Sequence, residues 1–396
     1  MKLLRARIFG ASALHDAWYS FRSEFKRAPS AGVDGVDFRS FDLASKSQTA
    51  ELADEIASGS YRHSPLRASF IRKSGSTKQR CINIPTIRDR LVQRVVLRYI
   101  RDRFDKQLRK LSGYGVLKQS SVEDALAAVE KHLPTAHSVL RLDIQAFFDS
   151  IKRTSAEDRV RRFLRAASIE PLAIQPIYAE TQLDGPDQRA AFLQAGMRHG
   201  VGLRQGQPLS PLYALLFLHP LDTHLTIRKI PFVRYVDDLL VFCESRAAAN
   251  AMRAEIQHVL GAIGLNVSPD QAKSFVCHAA ERFEFLGVDL QRDGSRVLRY
   301  LPKGIVADIE AAISARSASV LGDQKPGAFV RFAAYLRSVE ASYRSSYGKC
   351  QDWPKLQTAV VERSRHEARK CVCELHFALN GNSEKKSKAY RAIGIE

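Results

Sequence analysis

The sequence lacks the long apolar segments of membrane and secreted proteins. None of its 396 residues falls in an apolar run that approaches the roughly 20 residues needed to span a bilayer. No long apolar run follows the opening segment Met1–Arg7, so we expect neither a signal peptide nor a membrane partner. These absences predict a cytoplasmic protein.

Cysteine is too sparse and too scattered for a disulfide framework or a zinc site. Cys371 and Cys373 are separated by one residue, unlike a C-x₂-C zinc knuckle, and no second pair accompanies them. We expect reduced, buried thiols, as is typical of cytoplasmic proteins. The six cysteines are Cys81, Cys243, Cys277, Cys350, Cys371 and Cys373.

Acidic residues are too few to balance the basic ones. The 61 lysines and arginines exceed the 42 aspartates and glutamates, which gives a net charge of +19. Because 45% of the residues are hydrophobic, the chain is globular and not a disordered basic tail. A positive excess on a folded chain favours a polyanionic partner, with nucleic acid ahead of an acidic membrane surface.

Two adjacent carboxylates, Asp237 and Asp238, lie between apolar runs. The flanking runs predict two short buried strands joined by a tight turn. A buried turn with two negative charges is costly unless a cation pairs with them, and Mg²⁺ prefers such oxygen ligands. An ordinary solvated hairpin turn explains this dipeptide alone equally well.

A second acidic site separates these alternatives. In the segment Leu140–Asp149, an apolar strand carries Asp143 at its end, and two aromatic residues follow. Two-metal phosphoryl transfer requires carboxylates that face one cleft. Asp143 and Asp237 are the candidates to bridge both ions, Asp238 would support the site, and Asp149 would be a structural turn residue.

Hydrophobic periodicity predicts a helical N-terminal region and a helical C-terminal region around a mixed centre. Strand signals stop near residue 300, so we predict domains at 1–60, 61–300 and 301–396. The predicted helices are within 1–60 (with a loop at 29–36), 87–110, 121–132, 155–182, 208–222, 246–263 and 303–380. The predicted strands are two within 66–84, the two of the Asp237 hairpin, 283–290 and 296–300, with a loop or hairpin at 183–200 and a basic tail from Lys385.

The two acidic segments belong to a longer series, which comprises residues 31–36, 71–73, 78–80, 84–90, 143–148, 202–211, 235–238, 264–273 and 285–287. In this order, over roughly residues 30–290, these motifs resemble those of reverse transcriptases of the bacterial group II intron and retron-like branch. The resemblance implies an α+β right-hand polymerase, whose fingers and palm (an antiparallel sheet flanked by helices) occupy 61–300. A helical thumb and the basic tail would occupy 301–396. Residues 1–60 would be an N-terminal helical extension, in which 31–36 is similar to a template-facing glycine-rich segment.

The resemblance assigns catalytic roles to four side chains and one carbonyl group. Asp143, Asp237 and Asp238 would be the catalytic metal ligands, with the backbone carbonyl of Ile144 completing the shell of the second of two Mg²⁺ ions. Mn²⁺ is an alternative ion. Lys273, at the end of the next motif, would approach the pyrophosphate leaving group and either stabilise its charge or protonate it.

The resemblance also assigns substrate contacts. An aromatic ring at Phe148 would leave no room for a 2′-hydroxyl and so favour dNTPs, whereas Phe147 would be a core residue. The dNTP-binding residues would be Lys73, Arg80, Ile144, Phe148, Gln205 and Gly206. The primer grip would be Phe285, Leu286 and Gly287.

Two positions depart from the family pattern. Arg204 stands where proline is common, and we expect it to add positive charge near the triphosphate or the template. Cys81 also stands where proline is usual, which leaves the geometry of the fingers hairpin open.

The sequence shows no RNase H carboxylate set, HNH cluster, integrase pattern or Val-Thr-Gly retron signature. This favours a defence-associated reverse transcriptase, with an orphan derived from group II introns as the alternative. We expect an RNA-directed DNA polymerase that extends a DNA primer with dNTPs on a dedicated structured non-coding RNA, in antiphage defence. The alternatives are a group II intron-type maturase, a protein-primed or template-independent DNA polymerase, and an RNA-dependent RNA polymerase, against which Phe148 argues.

Overall fold

The computed structural model describes residues 7–23, 30–72, 79–115, 121–165, 168–318, 320, 327–381 and 383–393. The chain separates into two compact units. The first comprises Met1–His132 and Ala136–Cys277, and the second comprises Leu133–Thr135 and His278–Glu396. This division into compact units does not test the domain limits that were predicted at residues 60 and 300. Those limits stay predictions.

The first unit is a mixture of helices and short strands. Its helices are α1 (Ala11–Arg22), α2 (Phe38–Leu43), α3 (Ser45–Ser58), α4 (Ile87–Arg103), α5 (Asp105–Leu108), α6 (Val122–His132), α7 (Phe147–Ser150), α8 (Arg153–Leu164), α9 (Glu170–Ile174), α10 (Gly185–Gln194), α11 (Ser210–Ile227) and α12 (Arg246–Ala262). Its strands are β1 (Leu66–Arg72), β2 (Gln79–Ile84), β3 (Gly113–Tyr114), β4 (Ser138–Asp143), β5 (Thr181–Gln182), β6 (Phe232–Tyr235), β7 (Asp238–Cys243) and β8 (Phe275–His278), whose last residue belongs to the second unit.

A five-stranded sheet forms the centre of the first unit, in the order β3-β6-β7-β4-β8. Strand β7 is antiparallel to both β6 and β4. The apolar residues of these strands are buried because α12 packs on β4 and β7 and α6 packs on β6. A smaller sheet has the order β2-β1-β5, with β1 and β2 antiparallel. The predicted α+β class with an antiparallel-rich sheet is confirmed.

The second unit combines a small antiparallel sheet with long helices. Strands β9 (Phe283–Phe285), β10 (Val288–Asp293) and β11 (Arg296–Tyr300) form the sheet. The helices are α13 (Ile305–Ala318), α14 (Ala328–Tyr347), α15 (Trp353–Leu379) and α16 (Ser383–Ile393). Helix α15 packs on α13, α14 and α16, and the basic segment that begins at Lys385 lies in α16. No described helix has both the length and the apolar character needed to cross a membrane.

The structure corrects two predicted segments. Residues 183–200 contain helix α10 instead of only a loop, because Pro186 is favourable in a first turn and the Asp184 N–H donates to the Gln188 side chain. The helix buries Phe192. Region 155–182 is not continuously helical, because α8 ends at Arg165 in the left-handed conformation and strand β5 closes the region.

Candidate active site

Three aspartates meet at one end of the central sheet. Strands β6 and β7 are joined by a two-residue turn, Val236–Asp237, because Tyr235 pairs with Asp238. On the other side of β7, Asp143 is the register partner of Asp238. The antiparallel pairing therefore brings together carboxylates that lie about ninety residues apart in the sequence.

Asp143 is held beside Lys273. The Lys273 Nζ atom lies 3.3 Å from Asp143 Oδ2, with half of the lysine side chain exposed. Two backbone contacts fix this arrangement: the Ser268 N–H donates to the Asp143 carbonyl at 2.7 Å, and the Asp143 N–H donates to Ser274 Oγ at 3.2 Å. The segment that carries Lys273 therefore lies directly alongside the end of β4.

Asp238 has a cationic partner within the protein. Arg141 binds it in a bidentate manner, with Nε 3.1 Å from Oδ1 and Nη2 2.9 Å from Oδ2. Arg141 was not predicted from the sequence, although its position two residues before Asp143 on a strand puts both side chains on one face. Asp238 thus carries a compensated charge on this face of the sheet.

Asp237 is the partly buried carboxylate of the turn. Burial raises its pKa, the negative charges of Asp143 and Asp238 raise it further, and Arg80 lowers it. A cation at this position would relieve both effects. Within the described residues, no three His, Cys, Asp or Glu side chains form a ready metal cluster. Mg²⁺ is commonly bound by one or two carboxylates together with substrate phosphates, so the pair Asp143 and Asp237 fits such an ion.

Most of the predicted site residues line one cavity. Those that line it are Arg80, Asp143, Ile144, Phe148, Gln205, Asp237 and Lys273, with Phe147, Cys81 and Asp149 among the others. Gly206 lines a neighbouring cavity, and Lys73 lies outside the described residues. The structure therefore gathers residues that come from five separate sequence motifs.

The two adjacent phenylalanines have different environments. Phe147 is 2% exposed and belongs to the core, as the sequence analysis predicted. Phe148 is partly buried and lines both the cavity that contains Asp143 and a second cavity of about 620 Å³. Its predicted role in sugar selection stays a prediction.

A loop at residues 198–206 carries Gln205 and Gly206 against strand β2. The Asn83 N–H on β2 donates to the Gln205 carbonyl at 2.8 Å. Gly206 has φ +107°, and an added Cβ atom would lie only 2.4 Å from the Asn83 carbonyl oxygen. Both the backbone conformation and the close approach therefore require glycine here.

The expectation for Arg204 is wrong. Its side chain is fully buried and forms an ion pair with Glu180 at 2.8 Å, and it also donates to the Arg198 carbonyl at 2.7 Å. Glu180 additionally binds Arg153 at 2.5 Å and His199 at 3.1 Å. Because its guanidinium is buried and paired, Arg204 braces the 198–206 loop instead of facing a triphosphate.

Cys81, the second departure, lies inside β2. It pairs with Phe70 of β1 and is 3% exposed, and burial raises the pKa of its thiol. The antiparallel pairing of β1 and β2 continues through this position, so the pairing does not need a proline here. The six cysteines all lie within the described residues and none forms a disulfide; Cys373 is exposed and the others are buried.

The predicted primer grip forms a tight turn in the second unit. Phe285 pairs with Val288, so Leu286 and Gly287 are the two turn residues, with φ +51° and +80°. Two positive φ values are typical of a type I′ hairpin turn. Phe285 is fully buried, and its assignment to primer binding stays a prediction.

The second cavity of the first unit is bordered by arginines. Arg90 and Arg94 line it together with Asn83, Gln205 and Gly206. Burial, together with the neighbouring positive charges of Arg67 and Arg94, lowers the pKa of Arg90 to about 10. Such a concentration of positive charge favours an anionic ligand.

Comparisons with known proteins agree with this geometry. A family model described as reverse transcriptase (RNA-dependent DNA polymerase) matches residues 71–290. Protein YkfC of Escherichia coli (strain K12) is 26% identical over 337 residues, covering 73% of this chain and 84% of YkfC. Group II intron-encoded protein LtrA of Lactococcus lactis subsp. cremoris is 24% identical over 221 residues, covering 55% of this chain and 35% of LtrA.

Proposed function

Because this chain belongs to the reverse transcriptase family and is an RNA-directed DNA polymerase, we propose that it extends a primer with dNTPs in the cavity that Asp143 and Asp237 line. The observation that carries this proposal is the meeting of two carboxylates from paired strands with Arg80, Gln205 and Lys273 around one cavity. A bare hairpin turn would not gather these side chains. We further propose a two-metal mechanism for the reaction.

Asp143 and Asp237 would hold two Mg²⁺ ions, with the Ile144 carbonyl and Asp238 as further ligands. When bound, the ions supply activation of the primer 3′-hydroxyl and neutralise the triphosphate. Arg80 and Lys273 add fixed positive charge where the phosphates would lie, which stabilises the developing charge of the pyrophosphate. The ion pair of Arg141 with Asp238 orients that carboxylate on the same face as Asp143.

Phe148 would select the sugar of the incoming nucleotide. Its ring lies at the boundary of the two cavities, beside the cavity that contains the carboxylates. A ring against the sugar excludes a 2′-hydroxyl by contact, and this supports synthesis of DNA. Gln205 and Gly206 would contact the nucleotide next to it.

The second cavity would hold the template strand. It shares Phe148 and Gln205 with the first cavity, and Arg90 and Arg94 give it positive charge. Arginine at such a surface pairs with phosphates, which supports a nucleic-acid strand there.

We propose a structured non-coding RNA as the template and an antiphage role as the biological setting. Similarity to an intron-encoded protein favours intron RNA binding as the second candidate.

Replacement of the turn carboxylates tests the catalytic proposal. The double variant Asp237→Asn with Asp238→Asn should lose synthesis by at least ~10³, or roughly 4 kcal/mol of barrier, because neither amide can hold the ions. The measurement is single-nucleotide extension of a primed RNA with Mg²⁺ and dNTPs. Asp54→Asn, on the exposed face of α3, is the matched control and should keep full activity. A double variant with normal extension would contradict the assignment.

Sequencing of the nucleic acid that copurifies with the protein tests the template. A discrete RNA that yields a defined complementary DNA upon addition of Mg²⁺ and dNTPs would support a dedicated template. Heterogeneous RNA with activity on any primed template would contradict it and indicate a general polymerase. A specific RNA without DNA product would favour the maturase function.

A further inference from the structure

We infer that the buried ion pair of Asp222 and Arg234 is a positioning element that holds the Val236–Asp237 turn in its catalytic conformation. The inference rests on the proposed function of the cavity that Asp237 lines. It concerns two side chains that belong neither to the cavity nor to the motif of the turn itself.

Arg234 uses all three of its guanidinium nitrogens. Nε donates to Asp222 Oδ1 at 2.7 Å, and Nη2 donates to Asp222 Oδ2. The third nitrogen, Nη1, donates to the backbone carbonyl of Val236 at 2.7 Å. The side chains are 1% and 2% exposed, so solvent does not compete for these bonds. Helix α11 is thereby tied to the turn.

The turn needs such a restraint because Val236 has φ +56°. This is the first of two turn residues, a position that favours glycine when φ is positive. A β-branched residue is a genuine outlier there. The left-handed conformation therefore persists only where surrounding contacts hold it.

The molecule makes room for the guanidinium at Gly113. An added Cβ atom at Gly113 would lie 2.5 Å from Arg234 Nη2 and 2.7 Å from Leu215 Cδ1. The next residue, Tyr114, accepts the Val236 N–H at 3.4 Å. The N–H and the carbonyl of Val236 are therefore both held, one by β3 and the other by Arg234.

A purely structural role explains this arrangement less well. A fully buried ion pair contributes little net stability, because the cost of removing both charges from water offsets their attraction. Apolar residues of similar volume would fill the space between α11 and β6 as well. Apolar residues could not form the hydrogen bond to the Val236 carbonyl, and Val236 is the residue next to Asp237.

The test removes both charges together. The double variant Asp222→Leu with Arg234→Met leaves no unpaired buried charge, so we expect it to fold with a near-normal unfolding midpoint. Loss of the bond to Val236 should lower kcat roughly 10- to 100-fold, in keeping with the usual cost of a left-handed backbone. The KM for dNTP should change less than about threefold, because the residues around the nucleotide remain.

A rescue experiment separates positioning from general damage. Addition of Val236→Gly to the double variant should restore about tenfold of the lost kcat, because glycine adopts positive φ without restraint. The matched control is Lys229→Gly in the same background. Lys229 also has φ +56° and is exposed, but it lies between α11 and β6. It should give no recovery.

Each outcome decides the inference. A folded double variant with wild-type kcat overturns it, and so does equal recovery from Val236→Gly and Lys229→Gly. If the double variant does not fold, the single variant Arg234→Lys replaces it. Lysine retains a positive charge beside Asp222 but lacks the second nitrogen that donates to the Val236 carbonyl. The same loss of kcat and the same rescue are expected. If Asp237→Asn keeps its activity while the double variant loses its own, the proposed metal ligand fails and the positioning of the turn stands.

Discussion

The Val236–Asp237 turn and the loop at 198–206 show two ways to fix an unusual backbone near one cavity. Both contain left-handed residues and both depend on buried arginines. The turn puts valine in the left-handed conformation, whereas the loop uses glycine at every such position. Those glycines are Gly200, Gly202 and Gly206.

The difference shows what each segment must obtain from its surroundings. Glycine takes a positive φ without steric cost, so the loop needs restraint on its position and not on its dihedrals. Glu180 and Arg204 provide that restraint through side-chain ion pairs. The turn carries a strained valine, so it needs a bond to the backbone itself, which Arg234 provides.

Among the changes to the loop and to the surroundings of the turn, substitution of Gly206 should lower activity most. Gly206→Ala adds a Cβ atom 2.4 Å from the Asn83 carbonyl oxygen at φ +107°. Strain of this kind costs about 1–3 kcal/mol, and relief of the contact would move Gln205 away from β2. We expect kcat/KM for dNTP to fall at least about 100-fold in steady-state primer extension.

The control for this variant is Gly261→Ala. Gly261 lies in helix α12 with nothing within 4 Å of an added Cβ atom. Alanine there should keep normal activity and stabilise the helix by about 0.5–1 kcal/mol. Equal activity of the two alanine variants would show that the contact with Asn83 is not required.

Removal of the loop's brace should cost stability. Arg204→Met leaves Glu180 without one of its cations in a partly buried site, and we expect the free energy of unfolding to fall by about 2 kcal/mol. Urea denaturation measures it. Arg109→Met breaks an exposed pair with Asp105 on the helical surface and should cost less than about 0.5 kcal/mol. A similar loss in both variants would mean that Arg204 is no brace.

The two acidic motifs were sufficient to predict that Asp143 and Asp237 meet at one site in the first unit. The apolar runs around Asp143 and Asp237 predicted paired strands, and both side chains line one cavity. Periodicity, which is a local property, predicted the helix at 246–263 that is observed as α12, whereas the α+β class was implied by the family resemblance. The primer-grip turn and the roles of single residues stay predictions.

The supporting ion pairs were not predicted, because each depends on how two separate segments are placed by the tertiary fold. Asp222 lies in α11 and Arg234 in β6, whereas Glu180 and Arg204 lie in two different connecting segments, so no spacing signal connects the partners. A weak signal did exist: Asp222 is the lone acid of a strongly apolar helix, and a buried acid needs a cation. The sequence shows that Arg204 is charged, but the direction in which its side chain points depends on where the tertiary fold places Glu180.

The smallest expected effect concerns the pH dependence of the loop's brace. Arg153 and Arg204 hold the pKa of Glu180 at about 2 against the opposing effect of burial. A carboxyl whose pKa is lowered on folding contributes stability that is present above its unfolded value and is lost as the pH falls towards its folded value. The difference in free energy of unfolding between the wild type and Glu180→Gln should therefore be constant near neutral pH. It should shrink below about pH 4.5, the ordinary pKa of a glutamate.

In the Arg204→Met background the same substitution should show a weaker pH dependence, because the carboxylate has lost one of the cations that lower its pKa. Urea titrations between pH 3 and 7 on these four proteins measure this, and a constant difference across that range would contradict the ion-paired state of Glu180.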